Sequence, residues 1–164
     1  METVTKVLEN DAKALMQGPL RRTSLYYDPP KHKQDLEWPK DPLFDNPITQ
    51  ILNHSGNNMF NFKLKDGTES GLDDNGNPMK AHVFDPDKVG SVSIVYWEDE
   101  GGKLSGIELL DRTEATLLKI GYFDSYRKRH TIRLESDERI VGIVSHNSRC
   151  AQHKDFQFVI AKSY

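Results

Sequence analysis

The chain has 164 residues, 36% of them apolar, with 22 basic and 25 acidic side chains and a formal charge of −3. That length supports one domain with a real core plus an extension, and excludes two large domains. The near-even charge gives no general pull toward nucleic acid or anionic lipid, and no run approaches the roughly 18 apolar residues that a membrane helix needs.

The opening METVTKVLENDAKALMQGP lacks the apolar centre of a secretory signal, and Glu2, Glu9 and Asp11 make it too acidic for a mitochondrial transit peptide. Cys150, the single cysteine, has no internal disulfide partner and fits a free thiol in a reducing compartment. A cytoplasmic protein is therefore expected. Val4, Val7, Leu8, Ala12 and Leu15 recur at helical spacing and predict a short amphipathic helix over residues 2–17, stopped by Gly18 and Pro19.

Six of the eight prolines fall within the first 47 residues, where each removes a backbone donor and disfavours helix in the residue before it. Residues 20–47 are thus expected to form an extended arm. It carries Leu20, Leu25, Tyr26, Tyr27, Leu36, Trp38, Leu43 and Phe44, more large apolar groups than a solvating tail has. Either the chain's own domain or a protein partner must cover them. Arg21-Arg22-Thr23-Ser24 resembles a basophilic kinase site.

From residue 48 the apolar period changes to two. ITQIL, MFNFKL, VSIVYW, LSGIELL, TLLKI, TIRL, RIVGIV and DFQFVI are rich in β-branched and aromatic residues and are divided by turn formers, so residues 48–164 read as an all-β domain. Three segments repeat as strand, polar loop, strand: PITQILNHSGNNMFNFKL, SVSIVYWEDEGGKLSGIELL and RIVGIVSHNSRCAQHKDFQFVI. Ile94 precedes Ile107 by the same interval that separates Ile143 from Phe156. The first two units continue through Lys65-Asp66-Gly67-Thr68-Glu69 and Leu110-Asp111-Arg112-Thr113-Glu114 into second hairpins, whereas the third stops at Tyr164 after two strands. Open edges invite aggregation, so part of the arm, Thr23 to Tyr27, is expected to return and complete the third sheet.

Three four-stranded antiparallel sheets with pseudo-threefold symmetry make a β-prism. VGSVSIVYW, KLSGIELLD with LLKIG, and TIRLESDERIVGIVS with DFQFVI resemble the jacalin-related family, over residues 48–164. This resemblance implies a non-catalytic domain and a shallow sugar site, in which a Gly-x-x-x-Asp loop offers backbone amides and a carboxylate. The matching acid is Asp155, with Ala151, His153 and Lys154 as the other loop contacts. Ala151 stands where the family has glycine, and an added Cβ restricts the approach of a ligand.

His146, Cys150, His153 and Asp155 are all zinc-ligand types but match no chelating spacing. The DDNGNP stretch starts like a calcium loop, then puts Pro78 at its glycine position and Phe84 at its glutamate position. No metal or other cofactor is expected, nor is an enzyme, since Cys150 with His146 or His153 offers proximity alone. Arg127-Lys128-Arg129-His130 reads as a solvated hairpin tip.

The leading expectation is a non-enzymatic interaction scaffold, an accessory subunit docked into a larger protein assembly, cytoskeletal among others, through Leu25, Tyr26, Tyr27, Trp38 and Phe44. The alternative is an intracellular jacalin-type lectin that binds carbohydrate through loop 146–155.

Overall fold

The computed structural model describes residues 17–23, 35–54, 58–71, 79–98, 102–124, 127–148 and 152–164. These residues are all-β apart from one turn of 3-10 helix at Pro86–Lys88. Eleven strands follow in chain order: β1 (Arg21–Arg22), β2 (Asp35–Trp38), β3 (Ile48–Asn53), β4 (Phe60–Leu64), β5 (Lys80–Val83), β6 (Ser91–Trp97), β7 (Lys103–Leu110), β8 (Thr116–Gly121), β9 (Lys128–Arg133), β10 (Glu138–Ser148) and β11 (Gln152–Lys162). The expected helix over 2–17 lies outside the described residues except for Gln17, which bridges to Ser163.

The pairing shows how the repeat is built. The second unit runs in the order β8–β7–β6–β9. The first runs β4–β3–β5, with an isolated bridge from Lys63 to Glu69 on the open side of β4. Around the third hairpin the order is β1–β11–β10–β2. Strands from the chain's beginning thus occupy the two edges that the second unit fills with its own β8 and β9. The expected division into three four-stranded sheets is only partly seen. A single bridge, Lys154 to Lys103, merges the second and third groups into an eight-stranded sheet, and the first group has three strands among the described residues.

Of the segment expected to complete the third sheet, Thr23 to Tyr27, only Thr23 is among the described residues, and the arm pairing seen there is made by β1 and β2. Arg21 and Arg22 lie opposite Ile160 and Val159. Thr23 ends this strand: its amide donates to the Phe158 carbonyl at 3.1 Å, and its hydroxyl accepts from the Phe158 amide at 3.0 Å. Leu25, Tyr26 and Tyr27 lie outside the described residues. Arg21 grips Glu138 through two nitrogens, at 2.7 and 3.0 Å, which places a cation beside a carboxylate that is only 5% exposed.

Apolar alternation along the strands directs one set of side chains to a common core, including Ile51, Phe60, Phe62, Ile94, Leu104, Ile107, Ile143, Phe156, Phe158 and Ile160. Phe62 meets Phe158 edge-on with centroids 5.9 Å apart and stacks with Phe156 at 5.5 Å. In β10 and β11 the other face is buried too. Val141, Val144, Val159 and Ala161 form a second cluster, against which Phe44 packs. The Arg139 guanidinium lies 4.4 Å from the Phe44 ring centre. Trp38 packs against the main core. Both residues, named as candidate partner contacts, are half-buried against the chain's own clusters, Trp38 on the inner side of this hairpin and Phe44 over its apolar outer side.

Candidate functional site

Two hairpins carry an irregularity near the same end of the molecule, where β6 leads into β7 and β10 into β11. The register slips between Val95 and Tyr96 opposite β7, and between Val144 and His146 opposite β11. An extra residue in one strand re-aims the side chains beside it.

On β11 the slip divides His153 from Asp155. His153, expected in a loop, is 0% exposed, since β10 extends to Ser148 and β11 begins at Gln152. Its Nε2 donates to the Phe60 carbonyl at 2.8 Å, which leaves Nδ1 to accept from the Ser145 hydroxyl at 2.8 Å. Phe62 and Phe156 meet its ring edge-on. Burial pushes its pKa down to about 4, despite the opposing bond to the Phe60 carbonyl. Extending the alternation of the core residues Phe158 and Phe156 back along the strand would place Lys154 inward; the register slip reverses the faces and turns His153 in instead.

Asp155 sits at φ 51°, in the left-handed region, and is exposed. Its amide donates to the Gly102 carbonyl at 3.3 Å. Its carboxylate has no hydrogen-bond or ion-pair partner among the described residues. Gly102, at φ 71°, comes so close that a Cβ there would lie 3.1 Å from Asp155 Oδ1. The glycine beside the acid therefore comes from the neighbouring repeat. Ala151 lies outside the described residues.

Cross-strand pairing gathers further side chains that sequence spacing did not connect. Trp97 pairs with Lys103, Lys103 with Lys154, Lys154 with His146, and His146 with Asp35. Directly opposed residues project from the same face, so Trp97, Lys103, Lys154 and His146 form one row across four strands. All four are half-buried.

The other slip looks different. Ser105 accepts from Arg127 Nη1 at 2.5 Å and donates to the Tyr122 carbonyl at 2.9 Å. The Arg127 side chain is 7% exposed, pairs with Asp124 at 3.2 Å and places its guanidinium carbon 4.0 Å from the Trp97 ring centre. In the same basic cluster, Lys128 pairs with Glu98 at 3.7 Å and Arg129 with Glu108 at 3.1 Å. Among the described residues no group of three or more His, Cys, Asp and Glu side chains is arranged to hold a metal, and no helix is long and apolar enough to cross a membrane.

No protein-family model and no characterised protein matches the sequence. Solved structures do match. The lamprey immune protein aligns at TM-score 0.56 and 13% identity, over 86% of this chain and 43% of that one. Calystegia sepium agglutinin aligns at 0.54 and 10%, over 90% and 99%. The second β-prism domain of RbmC from V. cholerae, bound to N-acetylglucosaminyl-β-1,2-mannose, aligns at 0.52 and 14%, over 87% and 98%. This chain spans less than half of the lamprey immune protein and 34% of PirB, which it also resembles. At such identities the likeness is one of fold, and the fold is a β-prism.

Proposed function

We propose that this protein is a carbohydrate-binding β-prism, with Asp155 as the principal sugar contact. The observation that carries the reading is the Asp155 carboxylate, exposed and unpartnered among the described residues, held at φ 51° against Gly102. A carboxylate accepts two hydrogen bonds at once, which suits the vicinal hydroxyls of a sugar. Its setting at a strand slip fixes its direction without using its oxygens. The RbmC domain, solved with a disaccharide bound, shares this architecture and supports the assignment. Binding needs no chemical step, and the reading assigns none.

The test is titration of the full chain against a panel of glycans. Binding by the unmutated protein, lost in Asp155→Ala with the thermal midpoint unchanged, supports the proposal. A blank panel, or full binding by Asp155→Ala, overturns it.

A second reading, docking into a protein assembly through the arm, draws support from the surface between β1 and β2. There a groove of about 690 Å³ is floored by Val144 and Val159, and Leu20 at its rim is 44% exposed. Deletion of residues 1–20 should then abolish co-purification of partners while β1 stays paired. Retained partners would remove this reading. Cytoplasmic residence belongs to the same proposal and is checked by cell fractionation.

A further inference from the structure

His153 is buried and titratable, and the sugar contact assigned above makes no use of it. Its ring joins three strands beneath the site: Nε2 donates to the Phe60 carbonyl on β4, Nδ1 accepts from Ser145 on β10, and its own backbone belongs to β11, two residues ahead of Asp155. Through Phe60 the ring ties the start of β11 to the first repeat, while the Asp155 amide reaches the second repeat at the Gly102 carbonyl. Its hydrogen-bond and ring partners are Phe60, Phe62, Ser145 and Phe156, none of which carries a charge. The titratable groups next along the packed strands are turned elsewhere. His146 on β10, its partners Asp35 on β2 and Lys154 on β11, and Lys103 on β7 share the opposite face; Lys63 on β4 alternates with Phe62, His54 stands one residue past Asn53, the partner of Phe60, and Asp155 is exposed. A second proton on the ring would thus meet no acid among its contacts, and it would make Nδ1 a donor where Ser145 now needs an acceptor.

We propose that His153 is the positioning residue for Asp155 and makes the site acid-sensitive: the neutral ring pins the start of β11 to β4, and protonation frees that end of the strand with the carboxylate it carries. The sign follows from burial. A ring whose pKa is pushed down to about 4 in the closed form returns to the ordinary histidine range once it swings into water, so acid favours the open form. Between pH 7.5 and pH 5 that difference raises the ratio of open to closed about 30-fold. The opening is local, because a strand end beside a loop lies toward the weak end of a fold's range of local stabilities. That it loosens a ligand rests on the carbohydrate-binding reading; the opening itself does not.

The experiment follows amide hydrogen exchange of the full chain at pH 7.5 and pH 5, as protection factors that remove the direct effect of pH, beside titration with the glycan panel. Ordinary carboxylates are still mostly charged at pH 5. The amides of residues 152–157 should be less protected than those of Ile94 and Ile107 at both pH values and should lose about 30-fold of their protection at pH 5, with the near-ultraviolet circular dichroism of a folded chain. Glycan should bind more weakly at pH 5. His153→Gln keeps an N–H for the Phe60 carbonyl and an acceptor for Ser145 but takes no proton, so it should show neither change. Unaltered protection at residues 152–157, or a loss that persists in His153→Gln, overturns the inference. Unchanged glycan affinity beside faster exchange also overturns it, since Asp155 would then not depend on the latch. A chain that binds no glycan at either pH overturns the carbohydrate reading, while exchange still decides the latch. If the variant fails to fold, a pH series on the unmutated chain decides: a loss that begins below about pH 6.5 and continues toward pH 4 supports the role of His153, and a flat profile overturns it.

Discussion

The two slipped hairpins share a backbone irregularity and use it in opposite ways. In β6–β7 the freed hydroxyl, Ser105, is closed from outside by Arg127, which stacks on Trp97 and leaves little polar capacity for a ligand. In β10–β11 the histidine ahead of the slip is drawn fully into the core, and Asp155 beyond it is exposed with its oxygens unspent among the described residues. The difference teaches that a repeated fold does not repeat its sites. What separates a sealed end from an offered one is a single side chain long enough to reach back.

Substitutions can break this contrast, and the largest effect is expected on the sealed side. Gly121 lies at φ 95°, and a Cβ there would come within 2.2 Å of the Ser105 carbonyl. Gly121→Ala combines left-handed strain with a backbone clash and should cost at least about 3 kcal/mol, read from urea unfolding. Next comes the buried histidine. Because its pKa falls from about 6.5 unfolded to about 4 folded, the unfolded chain takes up the proton first as pH drops. Stability contributed by neutral His153 is therefore complete above pH 6.5 and lost as pH falls toward 4, by on the order of 3 kcal/mol. Unfolding free energies measured at pH 7.5 and 4.5 should show this loss, and His153→Gln should flatten it.

Smaller effects sharpen the comparison. Arg127→Ala removes a desolvated cation from the Trp97 ring and should destabilise by about 2 kcal/mol, with a change in tryptophan fluorescence. Gly102→Ala puts a Cβ 3.1 Å from Asp155 Oδ1 at a left-handed position and should cost about 1 kcal/mol while weakening any ligand held by Asp155. Asp155→Ala is expected to change stability by less than about 0.5 kcal/mol, since it removes an exposed group with no described partner. A large loss of stability in that last variant would show the carboxylate to be structural and would erase the contrast.

Much of the architecture was legible in period-two alternation. ITQIL, VSIVYW and TLLKI form strands, in keeping with their β-branched and alternating apolar residues, although β6 turns out to be buried on both faces along Ser91–Val95. The loop ahead of Asp155 was read as too long, since Ser145, His146 and His153 are polar and look like turn residues. They are strand residues all the same: His153 satisfies both ring nitrogens within the core, and a satisfied polar group is tolerated where an orphan is not. Trp38 and Phe44 were candidates for partner contacts because the arm carries more large apolar groups than a solvating tail, and sequence alone did not say whether the chain's own domain or another protein covers them. Here the chain's own clusters half-bury both.

By itself, the sequence determined the all-β character and the repeat, because these depend on local spacing and on residue chemistry. Tertiary structure alone decided that Gly102 and Lys103 stand beside Asp155 and Lys154, that His153 is a core residue, and that β1 and β2 edge the last hairpin. The reason is physical: residues some fifty positions apart meet only when separate repeats close around one core, and no local pattern encodes which edges will face each other.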